Sequence, residues 1–136
     1  ILADAGYVVF LVLFLNYLFQ ALFNEKKVTS DSIKGGICIY LLFGILWGII
    51  YRILIFFDPF AFVMQGPPSR NLFYFSYVTL TTVGYGDIVP SSYLAQTLAF
   101  MEAVTGQIFL AVFIARLMGL HLAHHMASRK DSEPPA

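Results

Sequence analysis

Apolar positions fall into three long runs separated by short polar segments. The first runs from Ala5 to Phe23 and carries no charge, the second from Ile33 to Phe57, and the third from Tyr93 to Leu120. Each is long enough to cross a bilayer as a helix, which takes about 20 residues. A fourth apolar stretch, Asn71 to Leu80, differs. As a helix it would be about 15 Å long, too short for a hydrocarbon core of about 30 Å. It reads as a re-entrant or buried segment. The pattern predicts an all-α membrane protein.

The connections sharpen this picture. Asn24 to Ser32 is polar and holds Lys26 and Lys27. Asp58 to Arg70 contains Pro59, Gly66, Pro67 and Pro68, and reads as a loop. Asp87 to Ser92, with Pro90, reads as a turn into the third run. The tail from Ala127 is polar and ends in prolines, and its tip is expected to be disordered. Lys26, Lys27 and Lys34 cluster at the first connection, and Arg116, Arg129 and Lys130 at the end, whereas the middle connection has only Arg70. The excess of positive charge places the first connection and the tail in the cytoplasm. The start of the chain then lies outside, and the short apolar stretch dips in from outside.

Composition agrees. Hydrophobic residues make up 59% and charged residues 12%, against about 45–50% and about 25% in soluble domains. So few charges cannot cover a globular surface, and much of the chain must face lipid. A net charge of zero gives nothing to attract nucleic acid. The single cysteine, Cys38, cannot pair within the chain and reads as a small buried core residue. The chain opens Ile1-Leu2 without methionine and reads as a stretch of a longer protein.

The candidate chemistry lies in Thr82-Val83-Gly84-Tyr85-Gly86-Asp87. An ion at membrane depth needs something to replace its hydration shell, and backbone carbonyls aimed at a common axis can do so. Such a backbone needs conformational freedom, which Gly84 and Gly86 supply through positive φ. Val83 and Tyr85 can then point away from the axis, and Thr82 can add a hydroxyl. Non-helical backbone at this depth is tolerated where it lines an aqueous path. The preceding stretch, capped by Ser69 or Asn71, would aim the negative end of its dipole inward and favour a cation. An ordinary turn fits poorly between a short apolar segment and a spanning helix, and a phosphate loop fits poorly because no strand precedes these residues and no lysine or serine pattern follows them.

Thr81-Thr82-Val83-Gly84-Tyr85-Gly86-Asp87 resembles the signature of tetrameric potassium channels. Pro90 and Gly106 stand where bacterial pore-loop members of the family carry a post-filter proline and an inner-helix hinge glycine. The resemblance implies the potassium-channel pore fold over residues 33–120, with an outer helix at 33–57, a pore helix at 71–81, a selectivity filter at 82–87 and an inner helix at 92–120. Residues 1–23 would be an additional N-terminal transmembrane helix, 24–32 a cytoplasmic loop and 121–136 a cytoplasmic tail. It further implies that Thr82, Val83, Gly84, Tyr85 and Gly86 bind K+, with Asp87 at the outer mouth and Gln107, Leu110 and Ile114 lining a cavity. Tyr85 matters because relatives that also conduct sodium tend to differ there. Val78 departs from some bacterial relatives, which carry a carboxylate behind the filter. The additional helix lacks regularly spaced arginines and is no voltage sensor of the usual kind.

Other residues carry two readings each. Glu102 sits within a span, where a carboxyl is costly and must face protein or water. It either braces the filter, accepting hydrogen bonds from the pore helix (Ser76, Thr79 or a tyrosine there) and open to protonation, or lines the cavity and concentrates cations. Arg52 reads as snorkelling to the interface, ahead of a pair with Glu102 or Asp58. Gly106 is a hinge or a site of close packing. His121, His124 and His125 share a helix face, and both a metal or proton-sensing site and an interfacial cluster with no special role fit them. Phe73, Tyr74, Phe75 and Tyr77 read as packing, which in the family forms a cuff around the filter. Tyr74 is within reach of Asp87, and Tyr74 and Thr81 are further filter-support candidates. Asn16 and Gln20 read as interhelical hydrogen-bonding residues.

The expected function is a potassium-selective channel pore, a homotetramer in a lipid bilayer with K+ as permeant ion. A prokaryotic plasma (inner) membrane is the expected location, and no regulatory domain or subunit is signalled. The alternatives are a weakly selective monovalent cation channel on the same scaffold and a non-conducting membrane subunit. No nucleophile–base pair appears, so an enzyme is not expected.

Overall fold

The computed structural model describes residues 2–24, 29–64 and 71–131. Helix α1 (Leu2–Asn24) and helix α2 (Ser30–Phe57) run antiparallel. The start of α1 meets the end of α2 through an Asp4–Arg52 ion pair at 3.2 Å, and Leu22 lies beside Gly35 at the opposite end. Helix α2 begins at a capping box: the Thr29 hydroxyl accepts from the Ser32 amide at 3.2 Å, and Ser32 reciprocates to the Thr29 amide at 3.3 Å. It therefore starts ahead of Ile33, inside the polar connection. Helix α3 (Leu72–Leu80) packs against both α2 and α4 (Tyr93–Asp131).

The segments flanking α3 are tied together. Strand β1 (Phe62–Met64) pairs antiparallel with strand β2 (Ile88–Pro90), in the register Phe62↔Pro90, Val63↔Val89 and Met64↔Ile88. The Ser91 amide extends the tie by donating to the Ala61 carbonyl at 2.8 Å. Both segments read as loop or turn in sequence. Runs of three residues are too short to show a period-two pattern.

Two apolar clusters fix the helices. Leu11, Leu15, Ile39, Leu46, Phe109 and Phe113 join α1, α2 and α4. Tyr51, Leu54, Phe62, Leu72, Phe75 and Ala95 join α2, β1, α3 and the start of α4. Much of the remaining apolar surface points outward, including Phe10, Leu13 and Tyr17 on α1 and Phe56 and Phe57 on α2. Among the described residues three helices are long and apolar enough to cross a membrane: Leu2–Asn24, Asp31–Phe57 and Tyr93–Leu120. An outward apolar surface is what lipid-facing helices require.

Three expectations change. Cys38 is exposed on α2, beside the buried Ile39, and is not a core residue. Arg52 does not stand alone at the interface. Its guanidinium pairs with Asp4 of α1, and not with Glu102 or Asp58. Helix α4 does not stop at Leu120 but continues to Asp131. Alanine, leucine, methionine and arginine there favour helix, and the first proline comes only at Pro134.

Candidate functional site

Helix α3 begins at Asn71, whose side chain accepts from the Tyr74 amide at 3.1 Å. Of the two predicted caps this is the one used, and Ser69 lies outside the described residues. At its far end the helix runs into residues 82–86. The first three of their amides turn back on it: Thr82 N–H donates to the Thr79 carbonyl at 2.9 Å, and Val83 and Gly84 N–H donate to the Val78 carbonyl at 3.0 and 3.3 Å. Carbonyls that a helix end leaves orphaned thereby find partners. The Thr81 hydroxyl adds a bond to the Tyr77 carbonyl at 2.6 Å.

The backbone then alternates in hand. Gly84 and Gly86 have φ of +59° and +78°, as their glycines predict. Thr82 also has a positive φ, +59°, which a β-branched residue adopts only against a steric cost. In a regular strand successive carbonyls alternate in direction. Left-handed residues at every second position cancel that alternation and bring successive carbonyls toward one side. Among the described residues no hydrogen bond ends on the carbonyls of residues 82–86. A row of unpaired carbonyl oxygens beside the Thr82 hydroxyl is a donor set that suits an alkali cation.

The front of this segment is open within the chain. Val83 and Tyr85 are exposed, and nothing lies near Gly84 or Gly86 on the side where a Cβ would sit. Tyr85 stacks on Tyr74 with ring centroids 6.4 Å apart and planes within 2°. The Tyr74 hydroxyl lies near the Asp87 carboxylate. Its titration is pushed above the ordinary tyrosine value, by desolvation first and then by Asp87.

The back is closed. Glu102 of α4 is fully buried, and it meets Tyr51 of α2 at 2.6 Å on one oxygen and Ser76 of α3 on the other. Ser76 also reaches the Gly44 carbonyl at 2.8 Å. The Tyr40 hydroxyl donates to the Leu80 carbonyl at 3.1 Å, and the Tyr77 hydroxyl to the Leu41 carbonyl at 2.9 Å. Gly44 and Gly48 give the rings of Tyr77 and Phe73 room against α2, where a Cβ would come within 2.4 Å of either ring.

Comparison with known proteins decides the class. Residues 35–120 match the family model described as Ion channel. The chain belongs to the ion-channel family. It is a pore-loop domain of the potassium-channel kind in a multi-pass membrane protein, and the family is one of channels and not of enzymes. The chain is 46% identical over 48 residues to Two-pore potassium channel 4 of Arabidopsis thaliana, covering 35% of this chain and 17% of that protein. It is 31% identical over 100 residues to Two pore potassium channel a of Oryza sativa subsp. japonica, covering 72% of this chain and 26% of that protein. The chain spans about a quarter or less of the length of these curated relatives. No solved structure matches.

Within the channel domain, α4 presents the remaining predicted positions. Gln107 and Ile114 are exposed on this chain, whereas Leu110 is partly covered by the core of α1, α2 and α4. Gly106 is buried, and a Cβ there would stand 2.7 Å from the Leu80 carbonyl oxygen. Helix α4 passes through it unbroken. The side chains of His121, His124 and His125 lie outside the described residues. Asn16 and Gln20 bond to each other along α1 at 2.6 Å. Sequence reasoning missed Tyr40 and Tyr51. The signal available was a tyrosine hydroxyl inside a membrane span, which needs a buried partner as Glu102 does.

Proposed function

We propose that this channel domain conducts K+ selectively through a ring of four copies of residues 82–86, each chain contributing one loop. The observation that carries the reading is the positive φ at residues 82, 84 and 86 together with amides tied back to α3. That combination frees a row of carbonyls from bonding within the chain. One chain offers one side of a coordination shell, so closing it takes further copies. The exposed Val83 and Tyr85 would be covered by the same step. Assembly is therefore part of the mechanism.

In this reading K+ sheds water at the mouth near Asp87 and passes between carbonyls of Thr82, Val83, Gly84, Tyr85 and Gly86. It meets water again in a cavity lined by Gln107, Leu110 and Ile114. Repeated, nearly equivalent sites let an ion enter without being trapped. Thr81 and Tyr74 hold the two ends of the loop. The names of both plant relatives support K+ as the permeant ion. Lysines at the α1–α2 connection support a plasma-membrane orientation with that connection and the C-terminus in the cytoplasm. Both relatives are plant proteins, so similarity lends no weight to a prokaryotic membrane.

Purified protein in liposomes tests the proposal. Bi-ionic reversal potentials should favour K+ strongly over Na+, and barium should block. The mass of the detergent-solubilised complex should equal four chains. Equal permeability to Na+ would replace selective by weakly selective conduction, and absence of any flux would leave a non-conducting subunit.

A further inference from the structure

Three elements meet at the Glu102 carboxyl, and the hydrogens there can be counted. There are three short O···O contacts: Tyr51 Oη to Glu102 Oε2 at 2.6 Å, Ser76 Oγ to Glu102 Oε1, and Ser76 Oγ to the Gly44 carbonyl oxygen at 2.8 Å. The Gly44 carbonyl can only accept. A serine hydroxyl has one proton to donate. If Glu102 were ionised, Tyr51 and Ser76 would bring two protons to three contacts. Ser76 would have to desert either the carboxylate or the Gly44 carbonyl.

A protonated Glu102 removes the shortage. Its own O–H donates through Oε1 to Ser76, Ser76 donates to the Gly44 carbonyl, and Tyr51 donates to Oε2. Each contact then has its proton. Charge argues the same way. Glu102, Ser76 and Tyr51 are all fully buried. Among the described residues no lysine, arginine or histidine pairs with Glu102, and the ionisable groups facing it are Tyr51 and Tyr40 of α2. A buried carboxylate with two hydroxyl donors and no cation is a costly arrangement, whereas a hydrogen-bonded neutral acid is not.

We propose that Glu102 is a neutral carboxylic acid that donates to Ser76, forming a directed proton chain Tyr51→Glu102→Ser76→Gly44 carbonyl that pins α3 between α2 and α4. Glu102 is thus a positioning residue for the loop that α3 carries. The proton count stands on geometry alone, and only its consequence for selectivity rests on the proposed conduction.

Infrared difference spectra between wild type and Glu102→Gln at neutral pH test it. Wild type should show the carbonyl stretch of a protonated acid, absent from the variant. Isotope labelling of glutamate carboxyls in wild type alone should shift that band, which keeps the test available if the variant does not assemble. Glutamine reproduces the chain, since its amide can donate to Ser76 and accept from Tyr51. Glu102→Gln should therefore change the folded-to-unfolded ratio by less than about threefold, and Glu102→Ala should lower it by about tenfold or more. Where K+ selectivity is measured, it should survive in Glu102→Gln and fall in Glu102→Ala. A carboxylate band in place of the acid band would overturn the proposal, as would Glu102→Gln being as damaging as Glu102→Ala. Absence of K+ flux with the acid band present would sink the conduction reading and leave this one standing.

Discussion

The two sides of α3 solve the same problem in opposite ways. Behind it, Ser76, Tyr77 and Leu80 meet Gly44, Leu41, Tyr40 and Glu102, and every polar group has a partner in the same chain. In front, residues 82–84 use their amides on α3, and residues 82–86 leave their carbonyls and the side chains of Val83 and Tyr85 open. The back is therefore a folding device, complete in one protomer. In the proposed conduction the front is a binding device, complete only when further copies supply the missing shell. Damage to the back should appear as lost stability, and damage to the front as lost ion discrimination.

The largest stability effect is expected at Gly106. A Cβ there meets a backbone oxygen at 2.7 Å, and a backbone atom cannot move aside as a side-chain tip can. Gly106→Ala should cost about 1–3 kcal/mol through overpacking, read by thermal unfolding of the detergent-solubilised protein. A hinge glycine predicts otherwise: altered open probability with an unchanged melting temperature. Next comes Ser76→Ala, which leaves the buried Gly44 carbonyl without its donor and Glu102 without its partner on α3, and should cost about 1–3 kcal/mol. Equal stability of that variant would break the claim that the back is a folding device.

Gly84→Ala should show the reverse profile. There is space for the methyl group, but φ of +59° puts an L-residue in the left-handed region, at about 1–2 kcal/mol for that residue. Relaxing that strain rotates the carbonyls on either side. Reversal potentials should lose most of their K+ preference while the helices stay folded by circular dichroism. Selectivity unchanged in Gly84→Ala would remove the basis for the front as a binding device.

The front was far more legible in the sequence than the back. Gly84 and Gly86 announce positive φ because glycine alone adopts it freely. Thr82 carries the same conformation without a signal, since threonine ordinarily avoids it. Glu102 was legible as a costly group needing partners, and Ser76 was among those expected. Tyr51 was not, because a contact spanning 51 positions leaves no local pattern. Cys38 was misread for a reason particular to membranes. Lipid-facing and protein-facing sides are both apolar, so hydropathy does not tell which side of α2 a residue occupies.

The smallest effect should come from the Asp4–Arg52 pair, which lies outside the contrast between front and back. The Arg52 side chain is 51% exposed and that of Asp4 20%, so their attraction is largely screened and worth about 0–1 kcal/mol. Arg52 follows Tyr51 directly, yet the two point apart: Tyr51 toward α4 and Arg52 toward α1. Asp4→Asn should therefore loosen the N-terminal end of α1 on α2 without disturbing the proton chain beside it. Cysteine cross-linking between α1 and α2 should become less efficient, with reversal potentials unchanged. If ion selectivity shifted with Asp4→Asn, strain would be passing from α1 through residues 51 and 52 to Glu102. Helix α1 would then belong to the frame of the pore, and the back of α3 would no longer be a unit of α2, α3 and α4 alone.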